Sequence, residues 1–289
     1  MKFAVVHASR GDFPVATLCK VFGVSRSGYY DFVRRMKRPT TQRERAARKL
    51  DHEIRVAFDE GRGGYGRPRI LRALRKKGMR IGENRIRRRM AAMRLQAKPR
   101  RRFVRTTLSD HDHRAAPNLV RQNFSAEAAN RVWCSDITYV RTWEGWVYVT
   151  VIIDLFSRKV VGWATAEHMR AKLVTDAMTM AIGRRDVEPG LIFHSDRGSQ
   201  YVSKAVRELL RRHEMQQSMS AKGNCYDNAV VESFNDKLKQ ELIHRDVWPT
   251  RARAQLAIAD YIERFYNPKR MHSTLGYLSP NEYEEQHAA

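Results

Sequence analysis

The run GWVYVTVIID at 145–154 is almost unbroken in β-branched and aromatic residues. A run of this kind reads as a central strand covered on both faces, and such a strand needs a whole sheet around it. Its sequence neighbours supply one. RVWCSDITYV (131–140) and RKVVGWATA (158–166) are also strand-like, with short turns at Glu144-Gly145 and Ser157-Arg158 between the three. The pattern then alternates: helix AKLVTDAMTMAIGRR, strand LIFHS, helix SKAVRELLRRHE, short strand QQSMS, a helix over 228–243, and the amphipathic helix RARAQLAIADYIERFYN. Three antiparallel strands followed by alternating helix and strand predict an α/β layer fold with a mixed sheet. The segment after Pro268, KRMHSTLGYLSP, has no regular period and is expected to pack back on this domain.

The residues ahead of the sheet have a different character. Residues 1–123 hold 33 Lys+Arg against 10 Asp+Glu, a net of +23, whereas residues 124–289 hold 22 against 21, a net of +1. A polycation joined to a nearly neutral half points to phosphate, and to nucleic-acid binding with a strong salt dependence. Helical signals organise that charge. FPVATLCKVF, a turn at Gly23-Val24-Ser25 and RSGYYDFVRRM with Ser25 as N-cap give a helix-turn-helix-like segment over 1–38. After Pro39-Thr40-Thr41, three more helices are expected: ERAARKLDHEIRVAFDE, RPRILRALRKKG and ENRIRRRMAAMRL. Together they form a second basic helix-turn-helix domain over 42–97. Ile86, Met90 and Met93 make its core-facing stripe, leaving Arg85, Arg88 and Arg89 off that stripe and available to a DNA groove. Arg67, at the turn into its helix, is a further phosphate candidate. Residues 98–123 read as a basic linker and 124–289 as the catalytic domain with its terminal helix and tail.

Three cysteines, Cys19, Cys134 and Cys225, are too few and too scattered for a disulfide framework or a zinc site, which suits a cytosolic protein. The opening MKFAVVHASRGD has too short an apolar run for a signal peptide, and no stretch approaches a bilayer span.

Chemistry is carried by three acids. Asp136 lies within WCSDITYV, Asp196 at the carboxyl end of LIFHS, and Glu232 on the helix DNAVVESFNDKLKQEL. A carboxylate in an apolar strand is costly unless something positive compensates it, and neither strand core holds a Lys or Arg. A trio of oxygen donors with no accompanying His or Cys cluster suits a hard cation, Mg²⁺ or Mn²⁺. Two ions fit this set, with Asp136 bridging and Asp196 and Glu232 each completing one. On the Glu232 helix, Val230, Phe234, Leu238 and Leu242 form an apolar stripe. Glu232 and Lys239 lie away from it on one face, and Asn235 lies at its edge. Lys239 is thereby a candidate for a DNA phosphate beside the metal.

At these residues the chain resembles the second-frame product of bacterial insertion-sequence transposases of the insertion-sequence three family, within the DDE superfamily that includes retroviral integrases. The motifs run through most of the chain: GVSRSGYY, GYGRPRI, WCSDITYV, HSDRGSQY, GNCYDNAVVESFNDKLKQEL and YNPKRMHSTLGYLSP. The 35 residues between Asp196 and Glu232, and Lys239 seven after Glu232, match that family's spacing. The resemblance implies a ribonuclease H-like five-stranded mixed sheet with flanking helices, preceded by all-α helix-turn-helix segments. It implies Asp136, Asp196 and Glu232 as catalytic metal ligands. It also implies cleavage of double-stranded DNA at element ends and transfer of the 3′-hydroxyl, by a homo-oligomer on DNA in the bacterial cytoplasm. Many such elements supply a further helix-turn-helix and a zipper-like helix from the first frame; this chain starts at MKFAVVHAS with no heptad run, so a first-frame product is a possible partner.

Other residues leave alternatives open. Lys222 and Tyr226 in AKGNCYDN either touch DNA or belong to a plain connecting loop. His194 is a neighbour of the metal ligands or a satisfied structural histidine. Arg270 and His272 approach the site or pack the tail. Two rival functions compete: a non-catalytic helix-turn-helix regulator derived from a transposase, and a ribonuclease H acting on RNA–DNA hybrids. The basic helical half favours duplex DNA over the hybrid.

Overall fold

The computed structural model describes residues 1–97, 116–221 and 225–287, without the side chains of Cys225 and Tyr226. Two compact units result, residues 1–55 and 56–289, with the division inside one long helix. The expected linker falls mostly on 98–115, outside the described residues.

In the first unit, α1 (Lys2–Ala8), α2 (Val15–Val21) and α3 (Arg26–Lys37) surround a small core of Val6, Leu18, Cys19 and Tyr29. Ser25 caps α3, its Oγ accepting from the Gly28 amide at 3.1 Å. The pair α2–α3 is the expected helix-turn-helix shape; α1 was not expected, because its apolar run is short. The next helix, α4 (Gln42–Glu60), starts on a reciprocal cap. Glu44 donates its amide to Thr41 Oγ1 at 3.2 Å, and the Glu44 carboxylate accepts from the Thr41 amide at 2.9 Å.

In the second unit, α5 (Arg67–Lys76) and α6 (Glu83–Ala92) pair through buried Ile70, Leu71, Leu74, Ile86 and Met90. The sheet comprises β1 (Val132–Thr142), β2 (Gly145–Asp154), β3 (Val160–Ala166), β4 (Ile192–Ser195) and β5 (Gln216–Met219), in the order β3-β2-β1-β4-β5. The first three strands are antiparallel, and β4 and β5 add in parallel. GWVYVTVIID is thus second from an edge, and the middle strand is β1, the one that carries Asp136.

Helices cover both faces. On one, α7 (Ala171–Arg184) and α8 (Lys204–Arg212) pack on Trp133, Ile152, Val161 and Phe193. Here α7 rides so close to β3 that a Cβ at Gly162 would stand 2.3 Å from the Ala177 carbonyl oxygen. On the other, α9 (Ala229–Glu241) and α10 (Arg251–Asp260) pack on Cys134, Val140, Val147, Val149 and Val151. The expected single helix after residue 250 does not stay α: it widens into a π-helical turn over Tyr261–Tyr266. Tyr261, Ile262, Phe265 and Tyr266 of that turn are all buried.

The tail packs back as expected and closes on α11 (Pro280–His287). Asn267 brackets the backbone of Val160, accepting its amide at 3.0 Å and donating to its carbonyl at 2.9 Å, and so covers exposed polar groups of edge strand β3. Glu284 takes Ser157, Lys159 and both terminal nitrogens of Arg185. Tyr65, ahead of α5, donates to the Lys269 carbonyl and accepts the Met271 amide. Among the described residues no helix is long and apolar enough to cross a membrane.

Candidate active site

The parallel ladder between β1 and β4 ends at Ser135 opposite Ser195. Parallel strands advance together, so the next residues, Asp136 and Asp196, leave the ladder side by side. This is the carboxyl end of β4, the position at which open α/β sheets place their ligands. Asp136 shares the face of Cys134 and Val140, the side covered by α9. Asp196 Oδ1 accepts the Gly198 amide at 2.9 Å, and a Cβ at 198 would stand 3.0 Å from that same oxygen. Glycine at that place leaves the carboxylate its room.

Glu232 enters from the first turn of α9. Two bonds set where this helix begins. Asn228 donates Nδ2 to the Ser135 carbonyl at 3.0 Å, directly beside Asp136. His194 Nε2 lies 3.1 Å from the Asp227 carbonyl, and its Nδ1 lies 2.8 Å from Ser218 Oγ. Because a carbonyl only accepts, His194 carries its proton on Nε2 and accepts from Ser218. It is fully buried and burial lowers its pKa, so it is the satisfied structural histidine.

The electrostatics tie the three acids together. Burial pushes the Asp136 carboxyl up to about 8, the charges of Asp196 and Glu232 add to this, and the offset comes from hydrogen bonding by the Ile137 backbone and the Asn235 amide. Burial also raises Asp196, and it raises Glu232 with help from Asp236 and Asp196. The side chains feel one another without closing into a cage: among the described residues no three His, Cys, Asp or Glu side chains are gathered as a set of metal ligands. Buried Asp154 at the end of β2 makes a useful contrast. Its two oxygens accept the Asn130 and Phe156 amides at 2.7 and 2.8 Å, the bonding of a structural acid.

Over its full length the chain is 38% identical to the transposase InsF for insertion sequence IS3A of Escherichia coli (strain K12), covering all of both proteins. The chain belongs to the IS3-family transposases. It is also 41% identical over 270 residues to an insertion element IS600 uncharacterized 31 kDa protein of Shigella sonnei, covering 93% of this chain and 98% of that one. Integrase core domain families match at residues 126–225 and 213–280, and an HTH-like domain family at 44–103. The HTLV-2 integrase catalytic core in complex with magnesium is 18% identical and covers 51% of this chain and 92% of its own, with a TM-score of 0.40.

Within this IS3-family chain the remaining candidate residues divide clearly. Asn235 is buried and donates Nδ2 to Asp136 Oδ2 at 2.8 Å, so its amide faces the acid rather than solvent. Lys239, one turn on, holds its Nζ 5.3 Å from the centre of the Tyr139 ring. The buried stripe of α9 is Val231, Phe234, Asn235, Leu238 and Glu241; Val230 and Leu242 are only partly buried. Arg67 pairs with Glu83 at 2.5 Å, joining the starts of α5 and α6, with both partners nearly half exposed. Arg85 and Arg88 are exposed on α6, whereas Arg89 is half-buried and engaged. Lys222 and the Tyr226 side chain lie outside the described residues. Arg270 and His272 are buried in the tail packing.

Sequence reasoning missed Tyr201 and Asn228. The buried Tyr201 hydroxyl lies 3.0 Å from Ser135 Oγ, and burial, then the charges of Asp196 and Asp136, raise its pKa well above the ordinary value. It is a neutral wall of the site. HSDRGSQY contains it, but nothing local says that its ring turns back under β1.

Proposed function

We propose that this IS3-family protein is a DDE transposase. In this reading it cuts one DNA strand at an element end to leave a 3′-hydroxyl, then joins that hydroxyl to a second phosphodiester. Each step forms one phosphorus–oxygen bond as another breaks, so the exchange needs neither ATP nor a covalent protein–DNA link. One observation carries the reading: Asp136 and Asp196 emerge side by side from the parallel ladder, and Glu232 acts on Asp136 from the facing helix.

Asp136, Asp196 and Glu232 would hold Mg²⁺ or Mn²⁺. The fit rests on the donor set, oxygen alone, and on an acid whose charge is opposed by burial and by two other carboxylates. Held there, such ions would supply an activated oxygen nucleophile and charge relief for the leaving oxygen. The protein's own groups do the rest. Asn235 fixes the orientation of Asp136, the Gly198 amide that of Asp196, and Tyr201 and the strand cores keep water from behind the acids. Lys239 is suited to a phosphate next to the scissile one. Duplex DNA at element end and target, a homo-oligomer on that DNA, a first-frame partner and a bacterial cytoplasmic location complete the proposal.

The test is strand nicking and strand transfer on a duplex bearing the element end, with and without Mg²⁺. The wild type is expected to act only with the metal, and Asp136→Asn, Asp196→Asn and Glu232→Gln to lose the activity. Four proteins behaving alike would overturn the assignment. Faster cutting of an RNA–DNA hybrid than of duplex at matched salt would move it to ribonuclease H chemistry.

A further inference from the structure

Past Ser135 strand β1 loses its β4 neighbour and runs on with one side open. On that stretch the exposed residues are not the usual mixture. Tyr139 is 43% exposed, Trp146 is 41% exposed and Trp143 at the hairpin tip is 76% exposed. Arg141 is exposed as well. The Tyr139 and Trp146 rings meet edge to face, 5.1 Å between centres. A cation lies over each ring: Lys239 over Tyr139 at 5.3 Å and Arg141 over Trp146 at 5.7 Å. The order along the surface is therefore lysine, tyrosine, tryptophan, arginine. Tyr139 stands three residues, about 10 Å, along β1 from Asp136 and on the alternate face of the strand, where Lys239 of α9 reaches it. The nearby acids are already engaged, Glu144 by the Arg251 amide and Glu167 by the Arg251 guanidinium.

We propose that Tyr139 and Trp146, flanked by Lys239 and Arg141, form a stacking platform for unpaired nucleotides at the DNA end being processed. The occupant is argued from charge and shape. Flat aromatic faces interleaved with cations match a strand of bases linked by phosphates, and stacking of this kind accepts any base. A cation over an exposed ring is held more weakly than a stacked base. An arriving base can thus displace the lysine or arginine from the ring face, and the freed cation takes the adjoining phosphate. Bases in duplex DNA have their faces covered, so the platform selects a frayed end. It rests on the transposase reading above and adds to it a means of holding the terminal strand open beside the carboxylates.

The experiment uses the full chain with Ca²⁺ and a short duplex carrying 2-aminopurine in an unpaired overhang, and the same probe fully paired. Wild type is expected to quench the overhang probe strongly and to bind it several-fold more tightly than the paired probe. Tyr139→Ala and Trp146→Ala should each lose most of the quenching and the preference, while Tyr139→Phe and Trp146→Phe keep them. Equal quenching by wild type and the alanine variants overturns the proposal and leaves the patch to a protein contact. So does equal loss in the alanine and phenylalanine variants, which would mark a structural role. Nicking by the wild type in Mg²⁺ with no overhang preference in Ca²⁺ sinks the platform alone, and quenching in Ca²⁺ with no nicking in Mg²⁺ sinks the catalytic reading alone.

Discussion

Arg270 clasps Glu241 in the interior, Nη2 to Oε1 at 2.7 Å and Nε to Oε2 at 2.8 Å, with the arginine only 2% exposed. The Tyr261 hydroxyl adds a third bond to Oε2 at 2.8 Å. Burial alone would push the Glu241 carboxyl up; Arg270, then Tyr261, outweigh it and hold the group below its ordinary value. Glu241 ends α9, whose first turn carries Glu232, nine residues and about 13.5 Å away. The pair thus anchors the far end of α9 to the tail. Removing one partner strands a buried charge, so Arg270→Met or Glu241→Gln should cost about 3–5 kcal/mol. Replacing both by apolar residues should cost less than either alone. Urea unfolding of the three variants at neutral pH measures this.

Midway along that helix, Asn235 restrains Asp136 through one 2.8 Å bond while its own Oδ1 stays buried with no partner among the described residues. Asn235→Ala should leave the fold intact and lower strand cleavage by about 10–100-fold, the usual effect of losing a group that orients a metal ligand. Asn235→Asp should be worse, since it adds a fourth negative charge where Asp136 already resists ionisation. Initial cleavage rates at saturating Mg²⁺, beside circular dichroism of each variant, separate this from unfolding. A rate within twofold of wild type would remove Asn235 from the site.

The strands and their order of appearance were legible because β-branched runs and period-two alternation are local signals. Asp136 and Asp196 stood out as candidates because a carboxylate inside an apolar strand is itself an anomaly. What escaped shares another property. Glu241 finds Arg270 across 29 residues, Tyr65 finds Met271 across 206, and Tyr201 finds Ser135 across 66. Pairing at such separations leaves no periodic trace, so nothing local marks Glu241 as a buried, paired acid. The π-helical turn escaped for a related reason: Tyr261, Ile262, Phe265 and Tyr266 fit an α pattern nearly as well until the core requires all four at once.

On α6 the exposed Arg85 and Arg88 stand one turn apart, on the side away from buried Ile86 and Met90. If each neutralises a phosphate, Arg85→Ala and Arg88→Ala should each reduce the salt slope of DNA binding by about 0.9. Arg89, half-buried and engaged, should instead affect stability. Fluorescence anisotropy on duplex DNA across a salt series tests the contrast. Slopes unchanged from wild type would take this helix off the DNA.

The metal-free site should oppose folding as pH rises. Asp136 has an ordinary value of 3.8 and is raised by burial to about 8 in the folded chain. Between those values the folded protein keeps a proton that the unfolded chain has released, so stability is greatest near pH 4 and falls on the way to pH 8. Asp136→Asn removes that penalty and should stabilise the metal-free protein by about 1–3 kcal/mol at pH 8, with little gain near pH 4, where the folded carboxyl is protonated and the unfolded one about half so. Magnesium should stabilise only one of the two proteins. Cation binding competes with the proton, so Mg²⁺ should raise the wild-type melting temperature more at pH 8 than at pH 6, and leave that of Asp136→Asn nearly unchanged. Thermal melts over this pH range, with Mg²⁺ and with EDTA, give both comparisons. A wild-type stability that climbs steadily from pH 4 to pH 8 without metal would mean that Asp136 is already neutralised by some other group, and the case for a cation between these carboxylates would fail with it.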